Sequence, residues 1–268
     1  MHATSYILTY RESGDPARRA NLLAVLGWLR LQQLAEIILV EQDVAPSLGD
    51  LAPFSGLRAV FGYNPGPFNK SWGFNLAARH ARGSLLAFGD ADTICRSFPA
   101  AVAASRSGVP VVRAFRGLID LDEDASAMLR EDLSCLSDPS FTDAPTDRTS
   151  RGEHLPLCSG LVIFQRTYFA LLGGWDERFQ GWGGEDDAMS VKVARAALPH
   201  RVAPAADGFH LHHRRANEDI ARDADYQSNL VVLEQLRTMP DVALKRLCEV
   251  SWQLAGNQDR YRPMEKLS

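Results

Sequence analysis

A chain of 268 residues with 46% hydrophobic and 23% charged side chains can bury one sizeable core, which excludes general disorder. Its formal charge of -4 gives no basic excess for gripping a nucleic-acid backbone, so that class of partner is set aside. The opening MHATSYILTY has no basic region followed by an apolar run, and no stretch approaches the length that spans a bilayer, so the sequence reads as cytoplasmic with no integral membrane segment.

In chain order, apolar runs alternate with helical spacing. A strand is predicted at 6–9, a helix at 16–31, a strand at 37–40, another at 57–61, a helix at 69–81 and a strand at 85–88. That βαβ rhythm predicts an α/β fold with a mainly parallel sheet flanked by helices, in a single domain. A further strand is expected over 109–115. The acidic, Ser-, Thr- and Pro-rich stretch 120–153 then reads as a long loop around one helix near 123–135, a candidate lid. Order resumes with a strand at 159–164, a short helix at 167–172 and a helix at 185–197. A run from 201 to 213 ends in FHLHH, and 225–254 spells one or two amphipathic helices broken near Pro240. Cys95, Cys135, Cys158 and Cys248 are scattered without paired spacing, so they are expected to be buried thiols rather than a zinc or disulfide framework.

In parallel α/β sheets ligands sit beyond the carboxyl ends of the strands. Three polar clusters fall there: Tyr10-Arg11-Glu12, Glu41-Gln42-Asp43 and Gly89-Asp90-Ala91-Asp92. Asp90 and Asp92 are spaced to converge on one hard cation, Mn2+ or Mg2+, or on a cation and a ribose. His210, His212 and His213 crowd the end of another strand in a chain with only 7 histidines, and imidazole completes such a shell, His210 first and His213 next by spacing.

In GWGGEDDAM, Gly181, Gly183 and Gly184 free the backbone around Trp182, and three acids open a helix. Successive helical residues point about 100° apart, so one or two of Glu185, Asp186 and Asp187 face a common cavity. One carboxylate there can take a proton from an acceptor hydroxyl, with Trp182 as a flat face for an acceptor ring. Asn69 reads as an N-cap. Lys70 beside it can neutralise a diphosphate, and Tyr10 and Arg11 can stack on a base and contact phosphate, or cover the sheet rim.

Taken in order, TYRES, FNKSWGFNLA, FGDADT, SGLVIFQ, GWGGEDDAM and FHLHH resemble nucleotide-sugar glycosyltransferases of the GT-A (Rossmann-like) fold. The nearest motif likeness is to the β-1,4-galactosyltransferase and polypeptide N-acetylgalactosaminyltransferase group, in a bacterial family 2-like form. The resemblance spans 6–213. It implies a GT-A domain over 1–225, with a donor half at about 1–115 and an acceptor half at about 155–215, followed by a helical extension over 226–268. By position, it implies that Thr9, Tyr10, Arg11 and Asp43 hold the nucleoside, Lys70 the diphosphate, and Asp90 the ribose or metal. Asp92, with His210 and His213, would bind the metal. Trp182, Gly183 and Gly184 would face the acceptor together with Glu185 and Asp186, Asp186 being the base of an inverting displacement.

The donor implied is a nucleotide sugar, by family default a uridine diphosphate hexose or N-acetylhexosamine, and the acceptor a saccharide or small molecule. The chain departs from the family in its HLHH run, which leaves the register of the metal-binding histidine open. No stretch of this sequence is expected to serve as an anchor like that of the Golgi enzymes. A retaining transferase, a catalytically silent sugar-nucleotide-binding module and a metal-dependent hydrolase remain alternatives.

Overall fold

The structure is a computed structural model and describes residues 3–51, 54–138, 141, 157, 160–203, 207–214 and 222–263. Three strands, β1 (Thr4–Tyr10), β2 (Glu36–Asp43) and β4 (Leu85–Gly89), form its centre, with β1 parallel to both neighbours. Their side chains alternate between two cores. Tyr6, Leu8, Ile37, Leu39, Leu85 and Ala87 point into one, and Ile7, Ile38, Val40, Leu86 and Phe88 into the other. Burial on both faces is why these strands read as unbroken apolar runs.

The remaining strands are β3 (Leu57–Tyr63), β5 (Thr93–Cys95), β6 (Val111–Arg113), β7 (Gly117–Asp120), β8 (Leu161–Gln165), β9 (His200–Val202) and β10 (Asp207–His210). The large sheet has the order β3-β2-β1-β4-β8-β6-β9 and is parallel except where β8 runs against β4 and β6. A small sheet, β5-β10-β7, stands beside it, with β10 antiparallel to β5 and parallel to β7.

Helices cover both faces. In α1 (Pro16–Arg30) the Asp15 carboxylate accepts from the Ala17 amide, Pro16 starts the first turn, and Leu22, Val25, Leu26 and Leu29 give the buried stripe. In α2 (Lys70–His80) the expected cap is present, the Asn69 side chain accepting from the Trp72 amide at 2.8 Å. The others are α3 (Phe98–Arg106), α4 (Glu123–Glu131), α5 (Arg166–Leu171), α6 (Glu185–Arg195), α7 (Ala224–Thr238) and α8 (Asp241–Leu254). The break near Pro240 separates α7 from α8. Leu233, Leu236, Leu244 and Cys248 from that pair bury against Phe179 and Ala188, so the C-terminal helices pack on the domain itself.

Two expectations change. The expected strand over 109–115 forms only at Val111–Arg113; Pro110, which has no amide to donate, marks its start, and the Pro110 carbonyl accepts from the Gln165 amide. The run 201–213 divides between β9 in the large sheet and β10 in the small one. Within the stretch expected as a lid, α4 is a packed element: Ser126 and Leu129 are fully buried and Arg130 bonds to Asn21 of α1. The rest of that lid, 139–153, lies outside the described residues apart from Phe141, as does Cys158.

Candidate active site

The carboxyl end of β4 brings the first chemistry to the rim. Asp92 stands between two imidazoles: its Oδ2 lies 3.1 Å from His213 Nε2 and its Oδ1 3.7 Å from His210 Nε2. The backbone enforces this meeting, since the Leu211 amide donates to the Asp92 carbonyl at 2.8 Å and β5 pairs Thr93 with His210. Clamps from the helices hold the next turn. Asn21 donates to the Leu211 and His212 carbonyls, Arg130 donates to the His212 carbonyl, and the His212 amide donates to Ser126.

The ring orientations test whether a cation fits. His213 Nδ1 lies 3.0 Å from the Arg214 carbonyl, and His210 Nδ1 lies 3.0 Å from the Asp120 carboxylate. Carbonyl and carboxylate oxygens only accept, so each Nδ1 is placed to donate to its own partner, and each Nε2 faces Asp92, where a bound cation would take the place of an Nε2 proton. Two imidazole nitrogens and a carboxylate with their candidate ligand atoms within 4.8 Å of one another form a donor set for a transition metal such as Mn2+. Burial would raise the Asp92 carboxyl, but His210 and His213 beside it hold it well below the usual carboxylate range. The contact with Asp92 likewise raises His213, against the effect of its own burial. His212 is exposed, so in the HLHH run His210 and His213 converge on Asp92 and His212 does not.

Lys70 joins this centre to the glycine-rich turn. Its Nζ lies 2.8 Å from Asp90, 3.2 Å from Glu185 and 4.0 Å from Asp186. Lys70, Asp90 and Asp186 line one cleft, whose apolar wall includes Phe74, Phe88 and Trp175. Three carboxylates share one ammonium there. Burial raises the Asp186 carboxyl to about 7, with Lys70 opposing the shift and repulsion from Glu185, Asp90 and Asp187 adding to it. The same acids hold Lys70 well above its usual range despite its burial.

The turn that presents Glu185 and Asp186 depends on glycine. Gly183 and Gly184 have φ of +92° and +91°, and a Cβ on Gly184 would sit 2.8 Å from the Phe179 ring. Asn229 of α7 pins the turn from outside, donating to the Gln180, Trp182 and Gly183 carbonyls and accepting from the Gln180 amide. Trp182 is 60% exposed, and its ring packs 5.6 Å from Tyr226 at an interplanar angle of 41°.

The nucleoside group is only partly assembled as expected. Tyr10, Arg11 and Asp43 share one rim, linked by Arg11 Nε donating to the Gln42 carbonyl. The Thr9 side chain, by contrast, is buried, its hydroxyl bonded to the Val40 carbonyl and to Gln42, so it supports the sheet rather than offering a free contact. Arg11 donates to the Gln42, Asn64 and Gly66 carbonyls, so its guanidinium ties that loop to the end of β1. Asp43 accepts from the Val44 amide and Tyr10 bonds to Glu12. Asp120 and Asn229 escaped the sequence reading. Asp120 looked like the start of a loop, and Asn229 is one polar residue within a helix.

The family described as the N-terminal domain of galactosyltransferase matches residues 150–214, which include the glycine-rich turn and the histidine run. No curated protein matches the chain in sequence. Among solved structures, the catalytic domain of Drosophila β1,4-galactosyltransferase 7 in complex with xylobiose aligns with a TM-score of 0.53 and 16% identity, over 86% of this chain and 80% of that one. This chain has the GT-A fold. The same architecture appears in glucosyl-3-phosphoglycerate synthase from Mycobacterium tuberculosis in complex with Mn2+, UDP and glucosyl-3-phosphoglycerate, with a TM-score of 0.55 and 16% identity over 89% of this chain and 81% of that one. GalNAc-T7 with UDP, GalNAc and Mn2+ aligns over all of this GT-A chain, with a TM-score of 0.60 and 16% identity, and 56% of its own length is covered. Among the described residues no helix is long and apolar enough to cross a membrane.

Proposed function

We propose that this chain is a metal-dependent glycosyltransferase that moves a hexose or N-acetylhexosamine from a nucleoside diphosphate sugar, with UDP as nucleotide, to an acceptor hydroxyl. One observation carries the reading: Lys70 bridges Asp90, next to the Asp92–His210–His213 set, to Glu185 and Asp186 at the head of α6. Donor chemistry and acceptor chemistry thereby share one cleft. The fold and the matched galactosyltransferase segment support the same reading, as do the UDP and Mn2+ named in the complexes of two structural relatives. The donor half is about 1–115, the acceptor half about 155–215, and 226–268 is a helical extension.

In this reading Asp186 accepts the proton of the acceptor hydroxyl, whose oxygen attacks the anomeric carbon as the bond to the diphosphate oxygen breaks. A single displacement inverts the anomeric centre. Asp92, His210 and His213 would hold a divalent cation, Mn2+ or Mg2+, which would supply positive charge against a departing diphosphate. Lys70 adds a second positive charge from the side of Asp90. Tyr10 and Asp43 flank the nucleoside, and Trp182 with Gly183 and Gly184 shapes the acceptor side.

The experiment is incubation with UDP-glucose, UDP-galactose and their N-acetylhexosamine counterparts, with Mn2+ or EDTA, while UDP release is followed across a panel of saccharide acceptors. Metal-dependent UDP release that needs an acceptor, with an inverted linkage by NMR, supports the reading. Free sugar formed at the same rate without acceptor supports a hydrolase. Binding without any release identifies a silent module, and a retained anomer removes Asp186 as the base of a single displacement.

A further inference from the structure

We propose that Asp120 is a positioning residue for the metal centre, fixing His210 in the one tautomer that turns a lone pair toward the cation. The inference rests on the reading of Asp92, His210 and His213 as metal ligands.

Asp120 ends β7, and the parallel pairing of β7 with β10 sets it opposite His210. Residues paired in register share a face of the sheet, so the Asp120 carboxylate meets the imidazole directly, 3.0 Å from Nδ1. The next residue grips the same partner through the backbone, the Leu121 amide donating to the His210 carbonyl at 2.9 Å. Further along, α4 supplies Ser126 and Arg130 to the backbone of His212. The stretch 120–130 thus holds the histidine segment at the ring of one residue and the main chain of two.

Only the ring contact bears on coordination chemistry. A carboxylate accepting from Nδ1–H leaves Nε2 as the nitrogen turned to a cation and resists rotation of the ring. The counterpart on His213 is the Arg214 carbonyl, a neutral acceptor, so the two histidines are held by partners of unequal strength. His210 lies farther from Asp92 than His213 does, 3.7 Å against 3.1 Å, and depends more on outside support to stay aimed at it.

The test is Mn2+ affinity of the full chain by calorimetry and by the electron paramagnetic resonance signal of free Mn2+, at a pH where imidazole is neutral. Asp120→Asn keeps the shape, loses the charge and can present an amide N–H to Nδ1. It is expected to weaken Mn2+ binding by about 10- to 100-fold. Its melting temperature without metal should stay near that of the parent. Nitrogen-15 spectra should show His210 protonated on Nδ1 in the parent, with that signature lost or mixed in the variant. Mn2+ affinity within twofold of the parent in a folded Asp120→Asn would overturn the proposal. So would a His210 that carries no Nδ1 proton in the metal-free parent, a measurement that stands if the variant fails to fold. Asp92→Ala separates the two levels: if it too leaves Mn2+ binding intact, the metal reading itself fails, whereas loss in Asp92→Ala with retention in Asp120→Asn removes only the role of Asp120.

Discussion

Asp186 Oδ2 lies 4.0 Å from Lys70 Nζ, while Asp90 and Glu185 hold that ammonium at 2.8 and 3.2 Å. Burial is the main cause of an Asp186 carboxyl raised to about 7, and repulsion from Glu185, Asp90 and Asp187 adds to it while Lys70 opposes it. A base is most effective when its pKa sits near the working pH. We expect kcat/KM to fall as pH drops through about 7, the acid limb belonging to Asp186. Asp186→Asn should lower kcat by about 10²- to 10⁴-fold and leave donor affinity nearly unchanged. A variant that keeps the parent rate removes Asp186 from the chemistry.

The same carboxyl makes a stability prediction of fixed sign. A folded-state pKa raised above the unfolded value means that stability is fully present below the unfolded value near 3.8 and is lost as pH rises through about 7. Replacing Asp186 with Asn removes that loss. Metal-free Asp186→Asn should then be more stable than the parent at pH 8 by about 1–2 kcal/mol, with the gain vanishing toward pH 4. Melting curves at the two pH values decide it, and an equal or lower melting point at pH 8 contradicts the repulsion described above.

The histidine run makes a second contrast. His213 approaches Asp92 and His212 is exposed, although they are neighbours in sequence. His213→Ala should weaken Mn2+ binding by at least about tenfold, since a direct ligand is lost. His212→Ala should bind Mn2+ like the parent, because among the described residues its contacts are made by its backbone, with Asn21, Ser126 and Arg130. Equal losses in both would place the ligand register elsewhere.

Much of this was legible in the sequence where physics acts locally. The runs that become β1, β2 and β4 are apolar at consecutive positions because both faces are buried, and Asn69 is a good cap in any helix that starts after it. The acids after β4 and the histidines at FHLHH announced themselves by crowding polar groups at strand ends. What stayed hidden depends on pairing between distant segments. β5 and β7, of three and four residues, are too short to show a period, and Asp120 matters only because β7 lies beside β10. That the 64–66 loop supplies carbonyls to Arg11 was hidden in the same way.

The glycine-rich turn is sensitive at single positions. Gly184→Ala combines a φ of +91° with a Cβ 2.8 Å from the Phe179 ring, so it should cost about 1–3 kcal/mol and displace the head of α6. Its melting temperature should fall, and kcat should fall with it at temperatures where the chain remains folded. A fully active Gly184→Ala would mean that the turn tolerates another conformation without moving Asp186.

Trp182 offers a complementary readout because it is exposed and its removal leaves little buried structure behind. Its ring and that of Tyr226 meet at 41°, forming a shallow aromatic corner beside the acids of α6. Aromatic faces contribute roughly 0.5–1.5 kcal/mol to a packed partner beyond area alone. Trp182→Ala should therefore raise the acceptor KM by about 3- to 10-fold while leaving the donor KM and Mn2+ affinity at parent values. Tyr226→Ala should shift the acceptor KM in the same direction and by less, since it acts partly by supporting the indole. If either variant changed the donor KM instead, the aromatic corner would belong to the donor side of the cleft, and the acceptor would have to approach from the opposite wall.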